Sequence, residues 1–269
     1  MIWPSAAIPL TVVADQRISI ERCPSIPDGS ASRPPPGFAA GPAAADAGIA
    51  FRASAVAPPE AFAADAEGDV VVGGAYETAS QDQAFLGPES GIAIPDGEGG
   101  VDLHVATQWL HVDRDQVAPC LGLPPDQVRI HLAGVGGAFG GREDLSMQIH
   151  AGMLALHTNR PVKMVYNREE SFTGHVHRHP SRIWMEHRAT RDGRLVCVHA
   201  KVLLDGGAYA SSSGAVLSNA SCFALGPYRV DNALIDCTAV YTNNPPNGAM
   251  RGFGAVQACF AYESQMDRL

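Results

Sequence analysis

The stretch VGGAFGGRED, residues 135–144, sets four glycines around Phe139 and follows them with Arg142, Glu143 and Asp144. Ordered glycine costs backbone entropy and an aromatic ring is not spacer material, so the pattern reads as a place where backbone comes close to something. Lying between a strand-like run and a helical pattern, it suits an anion or phosphate cradle built from backbone N–H groups. Two familiar cradles are excluded. Gly136 and Gly141 have P-loop spacing, but Arg142 and Glu143 stand where lysine and a hydroxyl residue are required, and Phe139 occupies the last glycine of a dinucleotide fingerprint counted from Gly134. A glycine turn that merely lets a helix pack close to a strand is the competing reading. Glu143 also has a plain one: in the first turn of the expected helix, a carboxylate gains about 0.3–1 kcal/mol from the helix dipole.

A second stretch, YTNNPPNGAMRGFGAVQ at 241–257, holds Met250 and Arg251 between two prolines and a Gly-Phe-Gly turn. Prolines fix the chain and glycines permit tight approach, so Arg251 suits an ordered contact with an anion or carbonyl more than a solvated charge. A third, GHVHRHP, places His175, His177 and His179 at period two. On one face of an extended segment they have zinc or copper ligand character; a basic interface loop is the alternative.

These residues must be positioned by a mixed set of elements. DVVVGGAYET, VDLHVATQWL, QVRIHLAGV, PVKMVY and ALIDCTAVYT read as strands, and RIWMEHRATRDGRLVCVHAKVLL as two strands joined at Asp192 and Gly193. A short helix is expected from Asp113 to Gly122. A longer one is expected from Glu143, with Leu145, Ile149, Met153 and Leu156 at helical spacing, and a third over FGAVQACFAYESQMDRL. The expected fold is α+β, with largely antiparallel sheets and packed helices. Residues 1–66, rich in proline and alanine, read as a disordered or non-native leader, and residues 67–269 as the folded domain.

The chain has 269 residues and a formal charge of −9, which excludes nucleic acid and anionic membrane as partners because both need a clustered positive field. Six cysteines show no C-x-x-C spacing and read as buried thiols. With no signal-peptide pattern and no long apolar run, the expectation is a cytoplasmic protein.

GVGGAFGGRED, GPYRVDNALIDCTAVYTNNPPNGAMRGFGAVQ and QAFLGPE at 83–89 together resemble the molybdenum-binding subunit of the xanthine dehydrogenase and aldehyde oxidase family, over about residues 69–269. The resemblance implies molybdenum held by the dithiolene of molybdopterin, often as a cytosine dinucleotide, with no direct protein ligand. It implies hydroxylation of an electron-poor carbon with oxygen from water, and partner subunits or domains carrying iron–sulfur clusters and FAD. Residue by residue, Gln108 resembles the glutamine that hydrogen-bonds the metal's oxo ligand, and Glu143 the glutamate that orients a purine. Gly137, Phe139 and Gly140 correspond to the loop beside the metal and pterin, and Ala249, Met250 and Arg251 to the second loop lining them. A purine such as xanthine or hypoxanthine is the expected substrate, with an aldehyde or another N-heterocycle as the alternative.

The departures are specific. Purine-oxidising relatives often carry an arginine where Asn219 stands, and carbon monoxide dehydrogenases of the family a copper-binding cysteine where Gly248 stands. The family's catalytic base is a glutamate far toward the C-terminus of a longer subunit. The last helical pattern runs into Leu269 without a cap signal. The resulting expectation is a domain incomplete at its C-terminus, a fragment inactive by itself or serving only as an assembly or binding module.

Overall fold

The computed structural model describes residues 19–21, 49–55 and 70–269. In chain order the elements are β1 (Ser19–Glu21), β2 (Ile49–Ala55), β3 (Val70–Thr78), β4 (Ser90–Pro95), β5 (Val101–Val105), α1 (Leu110–Leu121), β6 (Val128–Leu132), α2 (Gln148–Thr158) and β7 (Val162–Val165). There follow α3 (Arg168–Gly174), β8 (His177–Arg178), β9 (Ser181–Ala189), β10 (Leu195–Gly207), α4 (Ser213–Cys222), β11 (Asn232–Tyr241), β12 (Asn247–Gly248) and α5 (Ala255–Arg268).

Two sheets carry two cores. The larger has the order β1-β2-β11-β10-β9-β3 and is antiparallel except where β10 and β11 run parallel. Its alternating strands turn Ile183, Met185, Val202, Leu204 and Ile235 onto α4 and α5, which supply Val216, Leu217 and Ala261. The smaller sheet, β6-β5-β4-β7, falls between β3 and β9 in sequence and pairs β5 with β6 in parallel. Its core joins Ala93, Leu103 and Val105 to Val117 of α1 and to Met147, Ala151 and Ala155. Two-residue strands β8 and β12 pair in parallel and bring the histidine-rich segment beside the Asn-Gly turn. The α+β class with mostly antiparallel pairing is therefore the observed one.

Several expectations change in detail. α1 begins at Leu110 rather than Asp113, and Gly122 closes it in the left-handed conformation. Asp113 lies within α1, buried, and accepts from the Gln148 side chain of α2 at 3.2 Å. α2 starts at Gln148, five residues after Glu143, and the Gln148 side chain accepts from the Ser146 N–H just ahead of it at 2.8 Å. Its buried stripe is Gln148, Ala151, Gly152 and Ala155, while Met153 is half exposed. Small residues face the sheet here because the helix lies close upon it, which the spacing of the large apolar residues does not reveal. Within the 1–66 stretch read as leader, β1 and β2 pair onto the large sheet, β2 against β11; the rest of that reading falls outside the described residues.

Candidate active site

The glycine loop and the Ala-Met-Arg loop close on each other through their backbones. Phe139 takes a φ of 53° and Gly137 and Gly140 each 100°, so three of four successive residues occupy the left-handed region. That reverses the chain and turns the Phe139 carbonyl toward the second loop, where Arg251 N–H donates to it at 2.8 Å. The approach at Gly140 admits no side chain: a Cβ there would stand 2.5 Å from the Ala249 carbonyl oxygen and 3.0 Å from the Met250 nitrogen. Glycine is required here for both conformation and space. Close packing and exposed side chains coexist here, since the same residues do the first and leave Phe139 and Arg251 exposed.

Arg142 organises this junction, and sequence reasoning did not assign it a role. Although it follows a glycine loop, it is buried and lays its guanidinium over the Phe85 ring at 4.3 Å. Nε donates to the Gly137 carbonyl at 3.0 Å, while the terminal nitrogens reach the carbonyls of Gly87, Pro88 and Ala106. Loops from three parts of the chain are tied to one planar cation, a task for which the guanidinium fork is suited. Burial pushes its pKa down, with the Glu89 carboxylate opposing. The signal was present in QAFLGPE, whose phenylalanine and glycine are the partners of Arg142.

Gln108 lies at the rim. Its Oε1 accepts from the backbone of Gly140 at 3.0 Å and of Arg142 at 3.3 Å, and its own N–H donates to the Arg142 carbonyl at 2.9 Å. With the amide oxygen occupied by donors, the NH₂ group is the end left to donate elsewhere. On the other side, Gln83 donates to the Ala249 carbonyl at 2.7 Å and Arg178 to the Arg251 carbonyl at 2.8 Å. The Met250 carbonyl accepts from Phe253 N–H, so Ala249, Met250 and Arg251 are each held through the main chain. Gln83 and Arg178, neither singled out from sequence, do this holding.

Two adjacent carboxyls complete the junction. Desolvation first, and then the neighbouring Asp144, raise the pKa of Glu143, whose buried Oε2 has no hydrogen-bond partner. Burial also raises Asp144, against the opposing hydrogen bond from Ser211 Oγ at 2.7 Å. Because Glu143 precedes α2 by a full turn, no helix-dipole account applies to it. The three histidines do not converge as ligands. His175 faces Gln83, His177 the Phe172 carbonyl and His179 the Ser213 hydroxyl, and no group of three or more metal-ligating residues occurs among the described residues.

The family model for the molybdopterin cofactor-binding domain matches residues 51–269. The chain belongs to that family. Among curated relatives of this molybdopterin-binding domain, the nicotinate dehydrogenase large molybdopterin subunit of Eubacterium barkeri is 46% identical over 201 residues, 75% of this chain and 47% of its own length. A probable xanthine dehydrogenase subunit of Bacillus subtilis (strain 168) is 38% identical, over 75% of this chain and 27% of its own. The solved aldehyde oxidoreductase from Desulfovibrio gigas superposes with a TM-score of 0.74 at 27% identity, covering 82% of this chain and 24% of that one. The chain thus spans less than half the length of these relatives. No helix among the described residues is long and apolar enough to cross a membrane.

The residues present fit a molybdopterin group. The Gly140–Ala249 contact leaves main chain rather than side chains at the junction, Gln108 offers an amide donor, and Glu143 keeps a buried carboxylate oxygen unpartnered.

Proposed function

We propose that this domain holds the molybdenum cofactor of a hydroxylase acting on an electron-poor nitrogen heterocycle, with xanthine and hypoxanthine as the first substrates to test. When bound, the cofactor supplies two-electron oxidation, with water as the source of oxygen. Gly137, Phe139, Gly140, Ala249, Met250 and Arg251 line its position, and Gln108 donates its NH₂ to it. Electrons leave through iron–sulfur and FAD subunits or domains of the same complex, and the pterin is carried as a cytosine dinucleotide.

The observation that carries the heterocycle reading is Glu143. A half-buried carboxyl with a raised pKa and an unpartnered oxygen can accept from a ring N–H when ionised and donate to a ring nitrogen when protonated. An aldehyde offers neither feature. The 46% identity to a subunit named for nicotinate oxidation makes the pyridine ring a second candidate on the same ground.

The test is turnover of xanthine, hypoxanthine, nicotinate and benzaldehyde by the chain assembled in its complete enzyme, repeated with Glu143→Gln. A heterocycle rate that falls by about 10–100-fold, the worth of one charge-assisted hydrogen bond, is the expected result. Benzaldehyde as the best substrate, with Glu143→Gln neutral, would return the assignment to an aldehyde oxidase.

A further inference from the structure

Ser211 stands in the turn between β10 and α4 with a φ of 42°, a left-handed conformation that is unfavourable for a residue bearing a Cβ. The turn is pinned on both sides. Ala208 N–H donates to the Asn244 carbonyl at 3.0 Å, and Ser213 N–H to the Ala210 carbonyl at 2.9 Å. From this held backbone the Ser211 hydroxyl donates to Asp144 Oδ2 at 2.7 Å, across 67 residues of chain.

The same two groups cover Gly248. A Cβ there would stand 2.7 Å from Ser211 Oγ, 2.9 Å from Asp144 Oδ2 and 2.7 Å from the Val176 side chain. Gly248 is fixed in turn by the pairing of β12 with β8, and its neighbour Asn247 donates to the Asp205 carbonyl at 2.9 Å. Gly248 leads directly into Ala249, Met250 and Arg251, and Asp144 directly follows Glu143. One hydrogen bond therefore gathers the residue after Glu143, the turn ahead of α4 and the residue before the second loop. On its other side Glu143 is held by its own N–H, which donates to the Gly140 carbonyl at 3.3 Å.

We propose that Ser211 is a positioning residue for Glu143: its hydrogen bond to Asp144 fixes the chain just after Glu143 against the second loop and so aims the Glu143 carboxyl at a ring N–H. The link to substrate rests on the function proposed above. The ionisable groups facing Asp144 are Glu143 on the same turn and Asp113 of α1, and Asp144 raises the pKa of both. The Ser211 hydroxyl favours the charge on Asp144 against burial. Without it Asp144 repels charge on Glu143 less, and Glu143 titrates at lower pH.

Two variants separate position from charge. Ser211→Ala removes the hydrogen bond, whereas Asp144→Asn keeps an oxygen for Ser211 and removes the charge. In the cofactor-free 269-residue chain, the Glu143 amide of Ser211→Ala is expected to exchange roughly tenfold faster, the worth of about one net hydrogen bond, with β5 amides unchanged. Asp144→Asn is expected to leave that exchange unaltered. In ¹³C-carboxyl titrations Glu143 is expected to move to lower pH in both. Ser211→Gly, which lacks the hydroxyl and relieves the backbone, takes the place of Ser211→Ala if that variant does not fold. Unaltered exchange and titration of Glu143 in the folded variant overturn the proposal, whatever the substrate. In the assembled enzyme, Ser211→Ala is expected to lower the heterocycle-to-benzaldehyde ratio of kcat/KM about tenfold. An unchanged ratio beside altered exchange and titration would support the positioning and overturn the role given to Glu143 above.

Discussion

Arg251 donates its main-chain N–H to the carbonyl of Phe139 at 2.8 Å, joining residues far apart in the sequence through backbone alone. Side chains on both loops remain free to face a ligand, while the distance between the loops is fixed by peptide groups.

That closure makes Gly140→Ala costly. The new methyl meets backbone at Ala249 and Met250 at a φ of 100°, so neither rotation nor a flexible neighbour relieves it. The expected loss is about 1–3 kcal/mol from strain, with more from displaced loops. Gly193→Ala is the control, since its φ of 90° is similar but its surroundings are open. Thermal midpoints of the two variants, with molybdenum per chain after expression in a host that makes the cofactor, check this. Equal destabilisation would show that space at Gly140 is immaterial.

Arg142→Lys keeps the charge and loses the fork. Lysine cannot serve the carbonyls of Gly137, Gly87 and Ala106 together, and each buried carbonyl left unpaired costs about 1–3 kcal/mol. The urea midpoint is expected to fall with the m-value unchanged, because a contact is lost rather than compactness.

Gln108→Glu separates the two ends of that side chain. A carboxylate still accepts from Gly140 and Arg142, so stability is expected to move by less than about 0.5 kcal/mol. The NH₂ donor disappears, and molybdenum retention in the assembled enzyme is expected to drop. Full retention with full activity would remove Gln108 from the site.

How much of this was legible in sequence depends on the range of the interaction. Strands such as Val70–Thr78 and Asn232–Tyr241 announce themselves by alternation, and Gly122 and Gly193 by local turn chemistry. Glu143, Gln108 and the two loops were singled out because the order of their motifs is distinctive, and the structure brings the two loops together at Gly140 and Ala249. The short strand Ser90–Pro95 and the helix Ser213–Cys222 escaped, since small and polar residues carry little periodic signal. Arg142 escaped for another reason: its partners are carbonyls, which every residue possesses, so nothing in the composition marks them.

Acid sensitivity follows from three imidazoles. Desolvation pushes His179, His187 and His199 down to about 4 from the ordinary 6.5. Between those values the unfolded chain binds more protons than the folded one, so stability is lost as pH falls from about 6.5 toward 4, by up to about 3 kcal/mol for each ring. The raised carboxyls Asp113, Asp144 and Glu143 work in the opposite sense, since protonation on descending through the carboxylate range favours the fold. Urea midpoints measured from pH 7 to pH 5 should decline, and His187→Leu should remove roughly a third of that decline. A flat profile in the wild type would contradict the burial of these rings as neutral groups.

Thr78 at the end of β3 meets Ser181 at the start of β9, hydroxyl to hydroxyl at 2.7 Å, across 103 residues of chain. Everything between them includes the smaller sheet with its own helices and its own core. For folding kinetics, that layer behaves as an insert whose compaction shortens an otherwise long and entropically expensive closure. Pairing β3 with β9 brings the two ends of that insert together. Gln83 and Arg178, both in the insert, hold the second loop at Ala249 and Arg251, so those contacts also close over a long separation.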